Sequence, residues 1–319
     1  MRNCDIYILN YNGKHLLSDC LPSIIQAVEA RGNIDEMLLI DNASTDDSIE
    51  FMKHTYSQIK IIEKKENNFL FSINEEIDKS NKDYFIFLNN DIRVDIGFIT
   101  PLLEWFDDDQ IFATTSKIYD WEGRYLQTGK RFISFKKYTF NSWYDFDIQY
   151  SCHTLFASGG ASAYDRKKFI KLGGFDELFK PFYIEDVDIS YRAWKAGYKI
   201  VYSPESVIYH KGRATIEKHY RSKEIDKVFL KNTLIFIWKN ITDIEFFALH
   251  LMLIPYRLVR VTLTSPPALS YKYFKTILTF PYIYMKRIQT RKQFKLSDRE
   301  TFCLINSCEK ILLRKSTCN

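Results

Sequence analysis

No two cysteines in this 319-residue sequence form a CxxC pair, and the six cysteines show no other spacing typical of metal ligands. This pattern argues against a zinc site and a disulfide framework, and it fits a reducing cytoplasm. The N-terminus has no apolar stretch followed by a small-residue cleavage site, so we expect no secretory signal peptide. No apolar run reaches the roughly 20 residues that cross a bilayer as a helix.

Glycine is scarce, and no glycine-rich turn follows the first apolar run, where residues 10–14 are Asn-Tyr-Asn-Gly-Lys. A dehydrogenase on a Rossmann sheet needs such a turn to admit a pyrophosphate, which argues against that class. A sugar nucleotidyltransferase is disfavoured because it would carry a glycine-rich, basic phosphate loop near the N-terminus. The net charge is +5, and no basic stripe accompanies a nucleic-acid-binding motif, so we expect no nucleic acid partner.

The first hundred residues alternate short apolar runs with segments of helical periodicity, and the 46% hydrophobic content suffices for a full core. This alternation predicts βαβ units, and thus an α/β fold with a mostly parallel central sheet flanked by helices. The predicted strands are Asp5 to Leu9, Met37 to Ile40, Ile59 to Ile62 and Tyr84 to Leu88, and the predicted helices are Leu16 to Ala30, Asp47 to His54 and Ser72 to Lys79.

Polar residues follow three of the predicted strands. They are Asn10, Tyr11 and Asn12 after the first, residues 41–46 after the second, and Asn89, Asn90 and Asp91 after the fourth. Ligands of open parallel sheets bind beyond the carboxyl ends of the strands, so we expect these side chains to face one site. For Ser44, Thr45 and Asp46 a simpler interpretation is that they cap the next helix.

Asp91 and His210 are candidate metal ligands. Mg²⁺ and Mn²⁺ prefer oxygen ligands and often take only one or two from the protein, so Asp91 alone is chemically sufficient. A metal-free turn is the alternative for residues 89–91. His210 follows a strand-like segment and precedes a glycine-containing loop, which suits a metal or diphosphate contact, although a lone histidine is more often structural.

Glu185, Asp186 and Asp188 form a second acidic cluster at the predicted start of a helix. Acids favour the first helical turn because they complement the macrodipole, so simple capping is one interpretation. The cluster follows two aromatic residues and a Gly-Gly-Phe turn, an arrangement that suits a carboxylate in a partly desolvated pocket. Such a carboxylate acts as a general base at neutral pH.

Two further regions have open interpretations. Residues 118–150 are rich in aromatics and lose their periodicity, so we predict an irregular insertion beside the site, with packed hairpins as the alternative. Residues 221–319 contain uncharged stretches interrupted by prolines and flanked by basic residues, which favours helices lying on an anionic membrane surface. A helical subdomain packed on the core is the alternative. We therefore predict a catalytic domain over residues 1–220 and a C-terminal helical region over residues 221–319.

The order of these motifs resembles the family 2 glycosyltransferases, and in particular their rhamnosyltransferase-like branch. The resemblance covers roughly residues 4–215 and includes DNASTD at 41–46, NND at 89–91, SGGA at 158–161, GGFDELF at 173–179, EDVDISYRAW at 185–194 and, last, His210. It implies a GT-A fold, an inverting mechanism and a nucleoside diphosphate sugar as donor.

The resemblance also implies a role for each matching residue. Asp41 would contact the nucleotide base, Asp186 would be the catalytic base, and Glu185 beside it would contact acceptor or donor. The implied donor-binding residues are Asn10, Tyr11, Asn12, Asp41, Asn42, Asn74, Asn90, Gly159 and Gly160. The implied site for the divalent cation, Mg²⁺ or Mn²⁺, consists of Asp91, Asn89 and His210.

The sequence departs from the family pattern at two places. Asn89 stands where the metal-binding triplet has an aspartate, which removes one charge from the metal site. Residues 67–74 resemble the family's NxGFxxxxN loop without its glycine, which alters the backbone approach to the nucleotide.

The resemblance leads us to expect an enzyme that moves a sugar, from dTDP-rhamnose or a UDP-sugar, to a glycan or lipid-linked acceptor in cell-surface polysaccharide synthesis. We expect it in the cytoplasm, peripheral on the inner face of the membrane. A non-catalytic membrane-surface scaffold that keeps the fold is the alternative.

Overall fold

The computed structural model describes residues 3–32, 36–137, 139–212, 222–264 and 266–313. The strands are β1 (Cys4–Asn10), β2 (Glu36–Asp41), β3 (Lys60–Glu63), β4 (Tyr84–Asn89), β5 (Ile92–Val94), β6 (Ile111–Asp120), β7 (Leu126–Thr128), β8 (Lys130–Lys136), β9 (Thr139–Asp145), β10 (Cys152–His153), β11 (Ala161–Asp165) and β12 (Lys199–His210). The helices are α1 (Lys14–Arg31), α2 (Ser48–Thr55), α3 (Ile73–Lys79), α4 (Ile99–Leu103), α5 (Arg166–Leu172), α6 (Glu185–Lys195), α7 (Ser222–Asn240), α8 (Ile244–Met252), α9 (Ile254–Thr264), α10 (Pro267–Leu278), α11 (Phe280–Arg291) and α12 (Asp298–Asn306). The four predicted strands and three predicted helices of the first hundred residues are confirmed.

The main sheet is mixed, with its strands in the order β10-β12-β6-β11-β4-β1-β2-β3. Strands β3, β2, β1 and β4 run parallel, as predicted. In the other half, β11 runs antiparallel to both β4 and β6. It begins opposite Leu88, so its first residue lies at the edge of the sheet where β4 ends. The prediction of a mostly parallel sheet therefore holds for the N-terminal half.

Strand β4 is buried on both faces because its apolar side chains alternate between two hydrophobic clusters. Phe85 and Phe87 belong to the cluster that includes residues of α6 and α7, whereas Ile86 and Leu88 belong to the cluster that includes residues of α1. Side chains of a strand point alternately to opposite faces, so layers of helices on both sides hold β4 in place. This packing fixes the position at which residues 89–91 leave the sheet.

Residues 118–150 form packed hairpins, and the prediction of an irregular insertion is wrong. Strand β7 pairs antiparallel with β6, and β8 pairs with β9 in a separate two-stranded sheet. Phe132 lies directly opposite Trp143, and the two rings stack with centroids 5.5 Å apart. Cross-strand aromatic pairs of this kind stabilise a hairpin that helical or strand periodicity alone does not reveal.

The C-terminal helices share the core of the sheet. Leu234, Phe236 and Trp238 of α7 are buried in the same cluster as Phe85 and Phe87. The predicted boundary between residues 220 and 221 falls within 213–221 and so lies outside the described residues. In the described part of the chain, no single helix has the length and apolar composition needed to cross a membrane. Only α8 and α9 taken together meet that test, with a 44° bend between them.

Candidate active site

A cleft of about 1220 Å³ lies at the carboxyl ends of β1 and β4. The predicted site residues that line it are Asn10, Tyr11, Asn42, Asn89, Asn90, Asp91, Gly159, Gly160, Glu185, Asp186 and His210. Asn12, Asp41 and Asn74 do not line it. The structure thus brings the two predicted acidic centres, Asp91 and Asp186, to one cleft.

Asn10 joins the ends of three neighbouring strands. Its Nδ2 donates to Asp41 Oδ2 at 2.8 Å, and its Oδ1 accepts from Asn90 Nδ2 at 2.7 Å. The buried Asp41 also accepts from the amide and the hydroxyl of Ser44, at 2.8 and 2.7 Å. Asp41 therefore holds the loops after β1 and β2 together, and its direct contact with a nucleotide base stays a prediction.

Asn12 fastens the loop after β1 to the loop after β2. Its Oδ1 accepts from the amides of Thr45 and Asp46 at 2.7 and 3.3 Å, and its own amide donates to Ser44 Oγ at 2.8 Å. Its side chain is occupied by these backbone contacts, so Asn12 shapes the cleft without lining it.

The interpretation of Ser44 and Thr45 as helix caps is wrong. Helix α2 begins at Ser48 with Asp47 as N-cap, and Asp47 makes no side-chain capping bond. Of the three residues proposed as caps, only Asp46 contacts that helix, accepting from the Ser48 amide at 3.1 Å. Ser44 and Thr45 instead satisfy polar groups from the neighbouring strand, a tertiary contact that outcompetes local capping.

The loop over residues 67–74 keeps a glycine-like backbone without a glycine. Phe69 adopts a φ of +52°, in the left-handed region that glycine enters most readily. Asn42 donates to the Phe69 carbonyl at 2.8 Å and accepts from Ser72 Oγ. Asn74, at the loop's end, exchanges two bonds with the Phe175 backbone, at 2.8 and 3.0 Å. Asn74 is therefore a link between two loops.

Two glycines separate the acidic centres. The Gly159 amide donates to Asp186 Oδ2 at 3.2 Å, and a Cβ at Gly159 would lie 2.8 Å from Leu70 Cδ1. A Cβ at Gly160 would lie 2.4 Å from Asn89 Cγ. A Cβ at Gly160 would overlap the Asn89 side chain, so glycine permits this close approach of the backbone to Asn89, whereas a Cβ at Gly159 would displace the end of the Leu70 side chain.

Asp91 and His210 form the candidate metal centre. His210 Nε2 lies 3.4 Å from Asp91 Oδ2, and His210 Nδ1 lies 2.8 Å from Gln127 Oε1. Gln127 Nε2 donates to the His210 carbonyl at 3.2 Å, which orients the Gln127 oxygen toward Nδ1. That contact favours a proton on Nδ1 and leaves Nε2 available to a cation. Gln127 was not predicted, because it lies on hairpin strand β7.

The donor set fits a divalent cation that obtains most of its ligands elsewhere. Asp91 is 6% exposed, and its Oδ1 is buried with no hydrogen-bond partner among the described residues. In that part of the chain, no three His, Cys, Asp or Glu side chains are close enough together to hold a metal. Mg²⁺ and Mn²⁺ suit a site of one or two protein ligands completed by phosphate oxygens and water.

Asp186 and Glu185 begin helix α6 on the opposite wall. Asp186 Oδ1 accepts from the Val187 amide at 2.8 Å, and Glu185 Oε2 is buried without a partner among the described residues. The preceding Tyr183 and Ile184 both have positive φ, +70° and +76°. Two consecutive non-glycine residues with positive φ are uncommon. Backbone strain of this kind concentrates at functional sites, where the surrounding structure holds a side chain in a required orientation.

The two carboxyl groups differ in how readily they hold a proton. Burial raises the pKa of Asp186, while the amides of Gly159 and Val187 and the charge of Arg131 lower it. Burial and the neighbouring Asp186 charge raise the pKa of Glu185 well above its usual value. The two amides that bind Asp186 stabilise its charged form, so Asp186 is the better suited of the pair to act as a general base.

Arg131 is a cleft residue that the sequence did not predict. Its Nε and Nη2 donate to Ser142 Oγ at 3.1 and 2.9 Å. Its guanidinium lies over the rings of Tyr144 and Phe156, at 4.2 and 5.1 Å from their centroids. Arg131 and Tyr144 are direct cross-strand partners in the β8–β9 hairpin, so recognising the hairpin would have paired them. The contacts hold a fixed positive charge on the wall that also carries Asp186.

Comparison with known sequences places this chain beside sugar transferases. The family described as "Glycosyl transferase family 2" matches residues 5–173, and the one described as "N-terminal domain of galactosyltransferase" matches residues 139–219. O-antigen chain rhamnosyltransferase WbaN of Salmonella anatum is 25% identical over 189 residues, 58% of this chain and 59% of that protein. O-antigen chain rhamnosyltransferase RfbN of Salmonella typhimurium is 26% identical over 206 residues, 63% of this chain and 65% of that protein. The chain spans less than two thirds of either relative.

Several solved structures share the fold. GalNAc-T7 with UDP, GalNAc and Mn²⁺ superposes with a TM-score of 0.62 at 17% identity, over 93% of this chain and 59% of that one. The mannosyltransferase PcManGT of Pyrobaculum calidifontis with GDP-Man and Mn²⁺ gives 0.55 at 14% identity, over 96% and 89%. TarS 1-349 of S. aureus with UDP-GlcNAc gives 0.58 at 13% identity, over 94% and 89%. These similarities confirm the predicted GT-A fold.

Proposed function

This chain belongs to glycosyl transferase family 2, and on that premise we propose that it transfers a sugar from a nucleoside diphosphate donor to a hydroxyl of a glycan or lipid-linked acceptor. One observation carries the proposal: the Asp91–His210 pair and the Asp186–Glu185 pair line the same cleft. Because two relatives are named rhamnosyltransferases, we propose rhamnose as the first sugar to test, on dTDP, with UDP-sugars next.

Among the residues that the structure describes, few of those lining the cleft carry a positive charge for a diphosphate. Asp91 and His210 would hold Mg²⁺ or Mn²⁺, and the bound cation would neutralise charge that develops on the departing diphosphate. Asn10 and Asn90 keep the strand ends together through their 2.7 Å bond, which fixes the floor of the nucleoside pocket. Asn89 abuts Gly160 and supplies an amide where an aspartate would add a second charge.

The acceptor side performs the proton transfer. Asp186 removes the proton from the acceptor hydroxyl as that oxygen attacks the anomeric carbon, a single displacement that inverts the configuration. The Gly159 and Val187 amides hold its two oxygens, so the carboxylate is oriented before the acceptor arrives. Burial and the neighbouring Asp186 raise the pKa of Glu185, and its buried Oε2 lies beside the base, where it would contact acceptor or donor.

Donor binding is the direct test. The chain should gain roughly 2.7 kcal/mol of stability from its nucleotide sugar at 100 times the dissociation constant. Thermal unfolding with a panel of nucleotide sugars, with and without Mn²⁺, measures this gain. Asp91→Asn should lose the Mn²⁺-dependent part, whereas Asp147→Asn, an exposed acid on the hairpin side, should not. No stabilisation by any nucleotide sugar would contradict the donor assignment.

Arg131 should affect the acid limb of the dependence of kcat on pH, through the pKa of Asp186. Its charge lowers the pKa of Asp186, so Arg131→Gln raises that pKa, and less base is ionised at a given acidic pH. The acid limb of kcat against pH should therefore move to higher pH, with little change at the alkaline end. Arg131→Lys keeps the charge and should restore most of the limb, and the exposed Arg124→Gln is the matched control. An unmoved limb in Arg131→Gln would remove this role.

A further inference from the structure

Three successive C-terminal helices each present a row of exposed apolar side chains. The spacing within each row is three or four residues, which places its members on one face of the helix. The rows are Tyr256, Val259 and Leu263 on α9, Tyr271, Phe274 and Leu278 on α10, and Tyr282, Met285 and Ile288 on α11. We call these nine residues the apolar face. Soluble monomers rarely expose so many large apolar side chains on neighbouring helices, so we expect a binding partner for them.

The opposite sides of these helices are fixed to the protein. Tyr273 of α10 and Ile283 of α11 are buried in the main hydrophobic cluster. The buried Arg287 donates to the carbonyls of Trp238 and Ile241 at the end of α7. The helices are therefore anchored on the core, and the apolar face is the side that this packing leaves outside.

The chain segment that carries the apolar rows has charges of one sign. Between Phe246 and Ser297 the sequence has nine Lys and Arg residues and no Asp or Glu. Arg260, Lys275 and Arg291 are exposed on the same three helices as the apolar rows. A segment that combines apolar rows with cations and has no acids suits the headgroup and acyl boundary of an anionic bilayer, where both components contribute to binding.

We propose that the apolar face binds the surface of an anionic lipid bilayer, with α9, α10 and α11 lying along it. The charge argues for lipid over a second copy of this chain, because a symmetric pairing would set two cationic surfaces against each other. Prolines at the starts of the helices, Pro255, Pro267 and Pro281, suit short segments that follow a surface. This would place the cleft beside the membrane, the location predicted from the sequence.

Flotation of the purified full-length chain with vesicles tests the proposal. Binding should require phosphatidylglycerol in phosphatidylcholine vesicles and should weaken with salt, because exposed charges are screened. Leu263→Glu with Phe274→Glu should lower partitioning at least about tenfold by placing charge in the apolar rows. Ile96→Glu, which adds the same charge at a 66% exposed residue of the other part of the chain, should float normally.

A second pair of variants tests the contribution of the cationic side chains to vesicle binding. Arg260→Gln with Lys275→Gln should lower binding to anionic vesicles roughly 30-fold, at about 1 kcal/mol per cation. Lys60→Gln with Lys65→Gln removes two exposed lysines elsewhere and should have little effect. Thermal unfolding of each variant confirms that it is folded.

Three outcomes would overturn the proposal. The first is no flotation with either vesicle, and the second is equal flotation of the Leu263→Glu, Phe274→Glu variant. The third is a combination of two results: the chain does not bind vesicles, and sedimentation detects a concentration-dependent dimer that the same substitutions dissociate. This result would assign the apolar face to contact with a second copy of the chain. Asp186→Asn should float like the unaltered chain, so loss of activity and loss of membrane binding are separate results.

Discussion

Asp186→Asn should lower kcat by about 10²- to 10⁴-fold, the usual contribution of general base catalysis. Asparagine keeps the size of the side chain, and its amide oxygen still accepts from the Gly159 or Val187 amide, so the cleft keeps its shape. It cannot take the acceptor proton. The apparent affinity for the donor should change little, because the proposed diphosphate site is at Asp91 and His210. Steady-state kinetics with the identified donor and acceptor separate the two parameters.

Two variants make the Asp186 result specific. Asp147→Asn changes an exposed acid of the β9 end and should leave kcat within experimental error. Glu185→Gln keeps the hydrogen-bonding capacity of a protonated Glu185, so it should lower kcat less than Asp186→Asn does. An Asp186→Asn protein with full transfer activity would move the base elsewhere. If the unaltered chain binds donor but neither it nor any variant transfers or hydrolyses it, the chain is a binding scaffold on the same fold.

The strand ends were predictable from the sequence because they depend on local pattern. Apolar runs such as residues 84–88 specify buried strands, and parallel strands that begin together end at one edge. That rule alone brings Asn10 and Asn90 together, and the structure joins them at 2.7 Å. The early elements of the fold therefore follow from periodicity and the sharing of one sheet edge.

The opposite wall was predictable only in part. Asp186 and its partner Gly159 both come from recognisable motifs, but Arg131, whose charge acts on Asp186, lies 55 residues before it along the chain and belongs to no such motif. Arg131 reaches the cleft because the β8–β9 hairpin folds against it, and aromatic stacking, which has no periodic signature, holds that hairpin. Gln127 was missed for the same reason. Contacts set by tertiary packing leave no mark on local spacing.

Asp188→Asn should destabilise the folded chain by about 3 to 5 kcal/mol, because it removes the carboxylate that pairs with the buried Arg192 and leaves Lys239 with Asp176 as its acidic partner. Asp188 is 0% exposed and accepts from Arg192 at 2.8 Å, Lys239 at 2.9 Å and Asn240 at 2.7 Å. It lies two residues after Asp186, and through Lys239 it ties α6 to α7. Urea unfolding measures the loss, and the exposed Asp78→Asn should change stability by no more than about 0.5 kcal/mol.

The pH dependence of stability in Asp188→Asn tests the effect of the substitution on Lys239. Burial lowers the pKa of Lys239, and the Asp188 charge opposes that effect, so Asp188→Asn lowers the pKa further. Lys239 then gives up its proton more readily as pH rises, and the destabilisation should shrink toward alkaline pH. Lys239→Met in the Asp188→Asn background should cost less than Lys239→Met alone, since the two residues act as a pair. If the losses of stability from Asp188→Asn and Lys239→Met are additive, the two residues do not act as a pair. Helix α6, which carries Asp186, would then be held in place by packing alone.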